Sequence, residues 1–313
     1  MDWPWDRLPS DMARSLAISL REQFIDGPVY LLVDPLLSAL DALPSHLARY
    51  VIPGDGLGIA TEETPFLVQF ENRDDPWLEE SLRWAVTEHL KACFAGSGAY
   101  RVAGWLQPHE EGAAEDLARR LGALIKTSRA SSRGRYLRLA DRRVLALLHS
   151  ATRTPDALTT PAIDWSLQLQ GIATWSYMDH NLALQSLRGR QGTMVNEPLR
   201  LDAAHWDLLA QAEAVNRGLM AWQCTTHPLP DDALKRLIPA LARARQHGLQ
   251  LPEDQAAYAA EAMRHPAFEQ WPDLRGRIER SLKTQQPLED RLEALRGQWI
   301  NAPAVTSPHP FDL

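Results

Sequence analysis

Short apolar runs alternate with amphipathic stretches along the first half of the chain. Val29-Tyr30-Leu31-Leu32-Val33 is apolar throughout and is closed by Asp34-Pro35, the pattern of a strand buried on both faces. Leu36, Leu37, Leu40 and Leu43 follow at helical spacing. Phe66 to Phe70 predicts a second strand, and residues 77–94 carry Leu78, Leu82, Leu90 and Phe94 on one helical face. Tyr100 to Leu106 predicts a third strand. A helix over 111–126 follows, with Leu117, Leu121, Leu124 and Ile125 on one side. Arg135 to Leu139 predicts a fourth strand. Asp141 then stands where a helix N-cap belongs, ahead of Val144, Leu145 and Leu148. Four strand–helix alternations predict an α/β lobe with a mostly parallel sheet. The stretch from Gly54 to Thr64 reads as loop and is where a non-parallel edge would fall.

The pattern changes after residue 150. Residues 151–160 are rich in Thr and Pro and read as a connection. Residues 163–178 hold Trp165, Leu167, Leu169, Ile172, Trp175 and Tyr177 at an irregular period that suits a strand or two. Residues 202–222 read as helix, and Pro228 and Pro230 mark a break. Helices follow from Asp231. Leu234, Leu237, Ile238 and Leu241 give the first an apolar face, Pro239 predicts a kink or boundary, and Gly248 suits its end. Pro252 suits the first position of the next helix. Leu288, Leu292, Leu295 and Trp299 make the stripe of a last one. The expected organisation is an α/β lobe over residues 1–150 and a mainly helical lobe over 151–313, with a short β-containing connection near 160–180.

Composition narrows the class. A chain of 313 residues exceeds one small core, and 45% hydrophobic with 23% charged residues is ordinary for a globular protein. The net charge of −7 argues against a nucleic-acid partner. Two distant cysteines, Cys93 and Cys224, make a disulfide scaffold implausible. The N-terminus lacks a basic segment followed by an apolar one, and no run of about 18 apolar residues occurs. A cytoplasmic protein without membrane insertion is expected.

Catalytic and metal signatures are weak. There is no Cys-x-x-Cys and no His-Glu-x-x-His, so neither a metal nor a cofactor is expected. Gly54-Asp55-Gly56-Leu57-Gly58 lacks the strand–helix context of a phosphate loop. Ser97 between Gly96 and Gly98 has the wrong spacing for a nucleophile elbow. Asp179-His180 are adjacent in sequence, and neighbours seldom point at one substrate. Charge is more distinctive. Nine basic residues lie between Arg119 and Arg143, with Asp141 the lone acid. Residues 62–80 are the acidic counterpart, carrying Glu62, Glu63, Glu71, Asp74, Asp75, Glu79 and Glu80. Arg129, Arg133, Arg135, Arg138, Arg142 and Arg143 are candidate contacts for a protein partner. A solvated face, or pairing of the two segments across the sheet, explains the same pattern.

Three segments resemble, in order, the type VI secretion effector adaptor (chaperone) family. They are Tyr30-Leu31-Leu32-Val33-Asp34-Pro35, the Gly104-Trp105 strand Val102–Leu106, and Arg138-Leu139-Ala140-Asp141-Arg142-Arg143-Val144-Leu145. The likeness covers about residues 28–150. Ala140 replaces the family's aromatic and Arg142 its proline, and Gln107 stands where Ser is frequent. The resemblance implies a non-enzymatic adaptor. Such a protein holds a cognate toxic effector and helps join it to the VgrG spike or its PAAR-type tip. Asp34, Gly104, Trp105 and Asp141 are then motif positions with structural roles. The alternative is an enzyme whose site lies at the C-terminal ends of the parallel strands.

Overall fold

The computed structural model describes residues 8–36, 43–54, 60–95, 99–110, 114–127, 135–153, 162–223, 228–265, 267–271, 273–284, 287–288, 290 and 292. The chain divides into two compact units, Met1–Ala212 with Gln223–Asp231, and Glu213–Trp222 with Asp232–Leu313. The boundary expected at residue 150 therefore falls inside the first unit.

The first unit is built on six strands in the order β2-β3-β1-β4-β7-β8. They are β1 (Val29–Val33), β2 (Arg49–Val51), β3 (Phe66–Phe70), β4 (Val102–Pro108), β7 (Ile172–Met178) and β8 (Leu184–Leu187). Every neighbouring pair is antiparallel. The expected mostly parallel sheet is thus corrected. The alternation of strand and helix did mark a crossover, from β3 through α2 (Pro76–Ala95) to β4. Both strands run opposite to β1, hence parallel to each other, but β1 is inserted between them. The short edge strand β2, with an exposed Arg49 and Val51, leaves no apolar run to read. In an antiparallel sheet neighbouring strands end at opposite edges. Among the described residues no two neighbouring strands are parallel, so the row of parallel strand ends expected for the alternative site is not formed there.

The central strands are nevertheless buried on both faces, because helices cover both. Val29, Leu31 and Val33 of β1 pack with α1 (Leu8–Arg21) and α2, through Ala13, Ala17, Leu20, Leu78 and Leu82. Tyr30 and Leu32 face α3 (Ala114–Ile125) and α4 (Arg142–Arg153), through Leu117, Leu121, Leu145 and Leu148. Two helix layers thus produce the same continuous apolar run as a parallel sheet. The fourth expected strand is only β6 (Arg135–Tyr136), which pairs with β5 (Lys126–Thr127) in a separate ribbon. One short helix, α5 (Trp165–Gln168), precedes β7, and α6 (Ala203–Leu209) follows β8.

The second unit is helical, with α7 (Ala212–Gln223), α8 (Ala233–Gln246), α9 (Pro252–Arg264) and α10 (Leu274–Thr284). Pro239 lies inside α8 without ending it. The end of α8 is a Schellman turn: Leu249 N–H donates to the Ala244 carbonyl at 3.2 Å and Gly248 N–H to that of Arg245 at 2.8 Å. Pro252 occupies the first turn of α9 as the sequence predicts. Tyr258, Phe268, Trp271, Ile278, Leu288 and Leu292 form the core of this unit.

Candidate functional site

The three motif segments meet at one end of the sheet, where β1 stops and β4 begins. Asp34 follows β1, and its backbone N–H donates to the Arg101 carbonyl at 2.8 Å. Its carboxylate is fully buried and accepts from Arg138 Nε at 2.8 Å, a contact between residues 104 apart in sequence. Arg138 also approaches Asp141, with Nη1 3.7 Å from Oδ2. Asp141 accepts twice from Arg143, at 2.9 Å from Nε and 2.7 Å from Nη2. It also accepts the Arg143 backbone N–H at 3.0 Å, in the first turn of α4. The Asp34–Arg138–Asp141–Arg143 chain therefore ties the end of β1 to the start of α4.

Arg142 points the other way. It is buried, donates from Nη2 to the Ala85 carbonyl of α2 at 2.9 Å, and lies 4.8 Å from the centre of the Tyr100 ring. The Arg143 guanidinium sits over the same ring at 4.4 Å. Arg142 thereby fastens helices on opposite sheet faces. Glu88 of α2 completes the cluster, accepting from Arg101 Nε at 3.0 Å and from the Arg101 and Val102 backbone at 3.1 and 3.2 Å.

The two aspartates sit in different fields. Burial pushes the Asp34 carboxyl above the usual carboxylate range, more than its bonds to Arg138 and to Leu36 N–H pull it back. Burial pushes Asp141 up too, but the hydrogen bonds and charge of Arg143, with Arg138 behind, outweigh it and hold that carboxyl low. Burial lowers the Arg142 guanidinium's pKa, and burial and then the Asp34 charge raise that of the Tyr136 hydroxyl. The Tyr136 hydroxyl, Arg138 Nη2 and Arg142 Nη1 find no hydrogen-bond partner among the described residues. Donors thus outnumber acceptors in this cluster.

Gly104 and Trp105 serve the same strand. The β1–β4 register shifts between Leu32↔Gly104 and Val33↔Val102, leaving Ala103 as a bulge. This is why Val102 and Trp105, three apart, pack on one face. Gly104 has φ +156°, and a Cβ there would stand 2.5 Å from the Ser176 carbonyl oxygen and 2.9 Å from Trp175 Nε1. Only glycine lets β7 lie this close. Trp105 is core, and its indole N–H donates to Ser81 Oγ at 2.8 Å.

The other candidate contacts separate. Arg129 and Arg133 lie outside the described residues, as do Ser97, residues 55–58 and Cys224. Arg135 is in β6, where its backbone pairs with Thr127. Arg119 pairs with Asp116 in its own helix. Arg120, missed as a functional position, is buried and donates to the carbonyls of Glu197, at 2.7 Å, and of Gln168. Among the described residues no ion pair joins the acidic segment 62–80 to the basic one. Glu79 and Asp74 instead meet Arg14 and Arg21 of α1 at 3.9 and 3.7 Å. The Asp179 carboxylate accepts from Asn181 N–H, Ala183 N–H and Gln185, and so holds the β7–β8 turn rather than a substrate.

At the opposite end of β4 a cleft of about 230 Å³ opens beside His109, Glu110, Asp116, Arg119, Met194 and Asn196. The pattern of apolar positions gave no signal for it. Among the described residues no group of His, Cys, Asp and Glu is arranged to hold a metal ion, and no helix is long and apolar enough to cross a membrane. No family model, curated protein or solved structure matches the chain.

Proposed function

We propose that this protein is a non-enzymatic adaptor of type VI secretion, which binds a cognate toxic effector in the cytoplasm of the producing cell and assists its loading onto the VgrG spike or PAAR-type tip. One observation carries this proposal. Segments that resemble the adaptor family, at 30–35, 102–106 and 138–145, are brought together by the contact of Asp34 with Arg138 and by the β1–β4 pairing. Residues that co-occur in a pattern and then converge in space act as a unit, here as the frame of the fold. Binding would draw on apolar contacts at the centre of an interface, with charged residues setting register and on-rate.

The frame also decides how to test the docking surface. Arg138, Arg142 and Arg143 hold carboxylates, a carbonyl and a ring inside the molecule, so reversing them disturbs the fold itself. Arg129, Arg133 and Arg135 are the contacts to test first. Co-expression with a spike protein and candidate effector from the same genome, followed by pull-down and size-exclusion chromatography, should give a stable complex. Effector solubility should fall when this chain is omitted. An effector that reaches the spike without this chain would end the adaptor reading. Unchanged effector binding after Arg129→Glu, Arg133→Glu and Arg135→Glu would remove only the basic segment from it.

A further inference from the structure

The cleft beyond β4 is shaped by backbone that is fixed from several sides. Gly171 has φ +90°, and a Cβ there would collide with Met194. Its N–H donates to the Arg190 carbonyl at 3.1 Å, and Gly189 N–H donates to that of Ile172 at 3.1 Å. Gln170 Nε2 donates to the Thr193 carbonyl at 3.1 Å while its oxygen accepts from Arg190. The buried Arg120 clamps the Glu197 carbonyl from beneath at 2.7 Å. The wall formed by residues 189–197 is therefore set before any ligand arrives, which lowers the ordering cost of binding.

The chemistry of the lining is one-sided. Glu110 and Asp116 are acidic, and Arg119 is committed to Asp116. Among the described residues Glu110 has no ion-pair partner. His109 Nε2 lies 2.9 Å from the Gly189 carbonyl oxygen. That oxygen only accepts, so Nε2 carries a proton and donates to it. Asn196 adds an amide. The cleft thus sets a surplus carboxylate beside an amide. Its volume of about 230 Å³ lies below the roughly 300–1,000 Å³ of drug-sized sites. The shape suits one extended small group.

We propose that this cleft binds a single alkyl-ammonium or alkyl-guanidinium group, with Glu110 as its counter-ion and the Asn196 amide oxygen as a hydrogen-bond acceptor. The group is either a free small amine or the basic side chain of a polypeptide. This inference does not depend on the adaptor reading. Contact with one solvated carboxylate makes the affinity for the free group weak, on the order of millimolar.

The test is titration of the full chain with agmatine, with a short peptide carrying one arginine, and with glutarate as an anion of similar reach. Binding is followed by calorimetry and by ligand-observed NMR. Agmatine or the arginine peptide should bind and glutarate should not, and Glu110→Gln should weaken the cation by about two- to fivefold. A peptide that binds at least tenfold tighter than agmatine identifies the source as a polypeptide, and equal affinities identify a free amine. Asp116→Asn is the second variant. It frees Arg119, takes the formal charge of the lining from −1 to zero, and should weaken binding of the amine. Glutarate binding more tightly than agmatine, or agmatine binding unchanged in both variants, overturns the proposal.

Discussion

The two ends of β4 carry similar residue types and opposite chemistry. At the N-terminal end, Asp34, Asp141 and Glu88 meet Arg101, Arg138, Arg142 and Arg143 inside the protein, where each charge touches a partner, a carbonyl or a ring. At the C-terminal end, Glu110, Asp116 and Arg119 stand at an open cleft, and only one carboxylate is paired. The first end uses charge to join elements distant in sequence. The second leaves charge available. Composition does not separate the two cases, because availability is decided by what the fold places opposite each group. Removing one member of a buried pair strands the other, whereas an exposed pair contributes little.

Four substitutions sharpen this contrast, and Gly104→Ala stands with Asp141→Asn at the top of the range. The added Cβ meets the Ser176 carbonyl at 2.5 Å in a backbone conformation that favours glycine. A loss of about 3 kcal/mol or more is expected by urea unfolding. A loss under about 1 kcal/mol would show that β7 can move away from β4.

Next come the two buried aspartates, compared directly. Asp141→Asn should cost about 3–5 kcal/mol at neutral pH, since it strands Arg143 and weakens a helix cap. Asp34→Asn should cost clearly less, since burial already opposes its charge. The two should also differ in sign with pH. The folded Asp141 carboxyl is held low, so its contribution is present above about pH 4 and is lost as pH falls through its lowered value. The folded Asp34 carboxyl is raised, so its contribution is full below about pH 4 and is lost as pH rises through the raised value. Unfolding measured from neutral pH into the acid range should show the deficit of Asp141→Asn shrinking and that of Asp34→Asn growing. Parallel curves would contradict the assignment of opposite fields. The smallest effect belongs to the open end. Glu110→Gln should shift the unfolding midpoint by no more than about 0.5 kcal/mol, and a larger loss would mean that the carboxylate holds structure.

Much of the fold was legible in single segments and little of it in their arrangement. Leu117, Leu121, Leu124 and Ile125 announced a helix face that is buried as expected, and Asp141 stands at the start of α4, where a cap was expected. The run 29–33 announced a strand covered on both sides, which it is. Strand direction was not legible, because two helix layers give the same burial whichever way the neighbours run. Residues 163–178 were obscured by an irregular period, part of it due to the register shift at Gln107/Pro108 opposite β7. The motif residues Asp34, Gly104 and Asp141 could be named in advance, but not the inward turn of Arg138 and Arg142, since a run of arginines reads the same when solvated and when buried. Glu88 and Arg120 gave no signal beyond being ordinary charged positions on amphipathic helices. The residues at the cleft come from segments some eighty positions apart, which no short pattern joins.

The strand order also has a history written into it. Synthesis proceeds from the N-terminus, so β1 precedes β4, but the other neighbour of β4 is β7. Until Ile172 has left the ribosome, β4 presents a full row of unpaired backbone groups on a seven-residue strand that ends up wholly buried. Such an edge invites pairing with another chain. The nascent protein therefore passes through a stage in which its own central strand needs shielding.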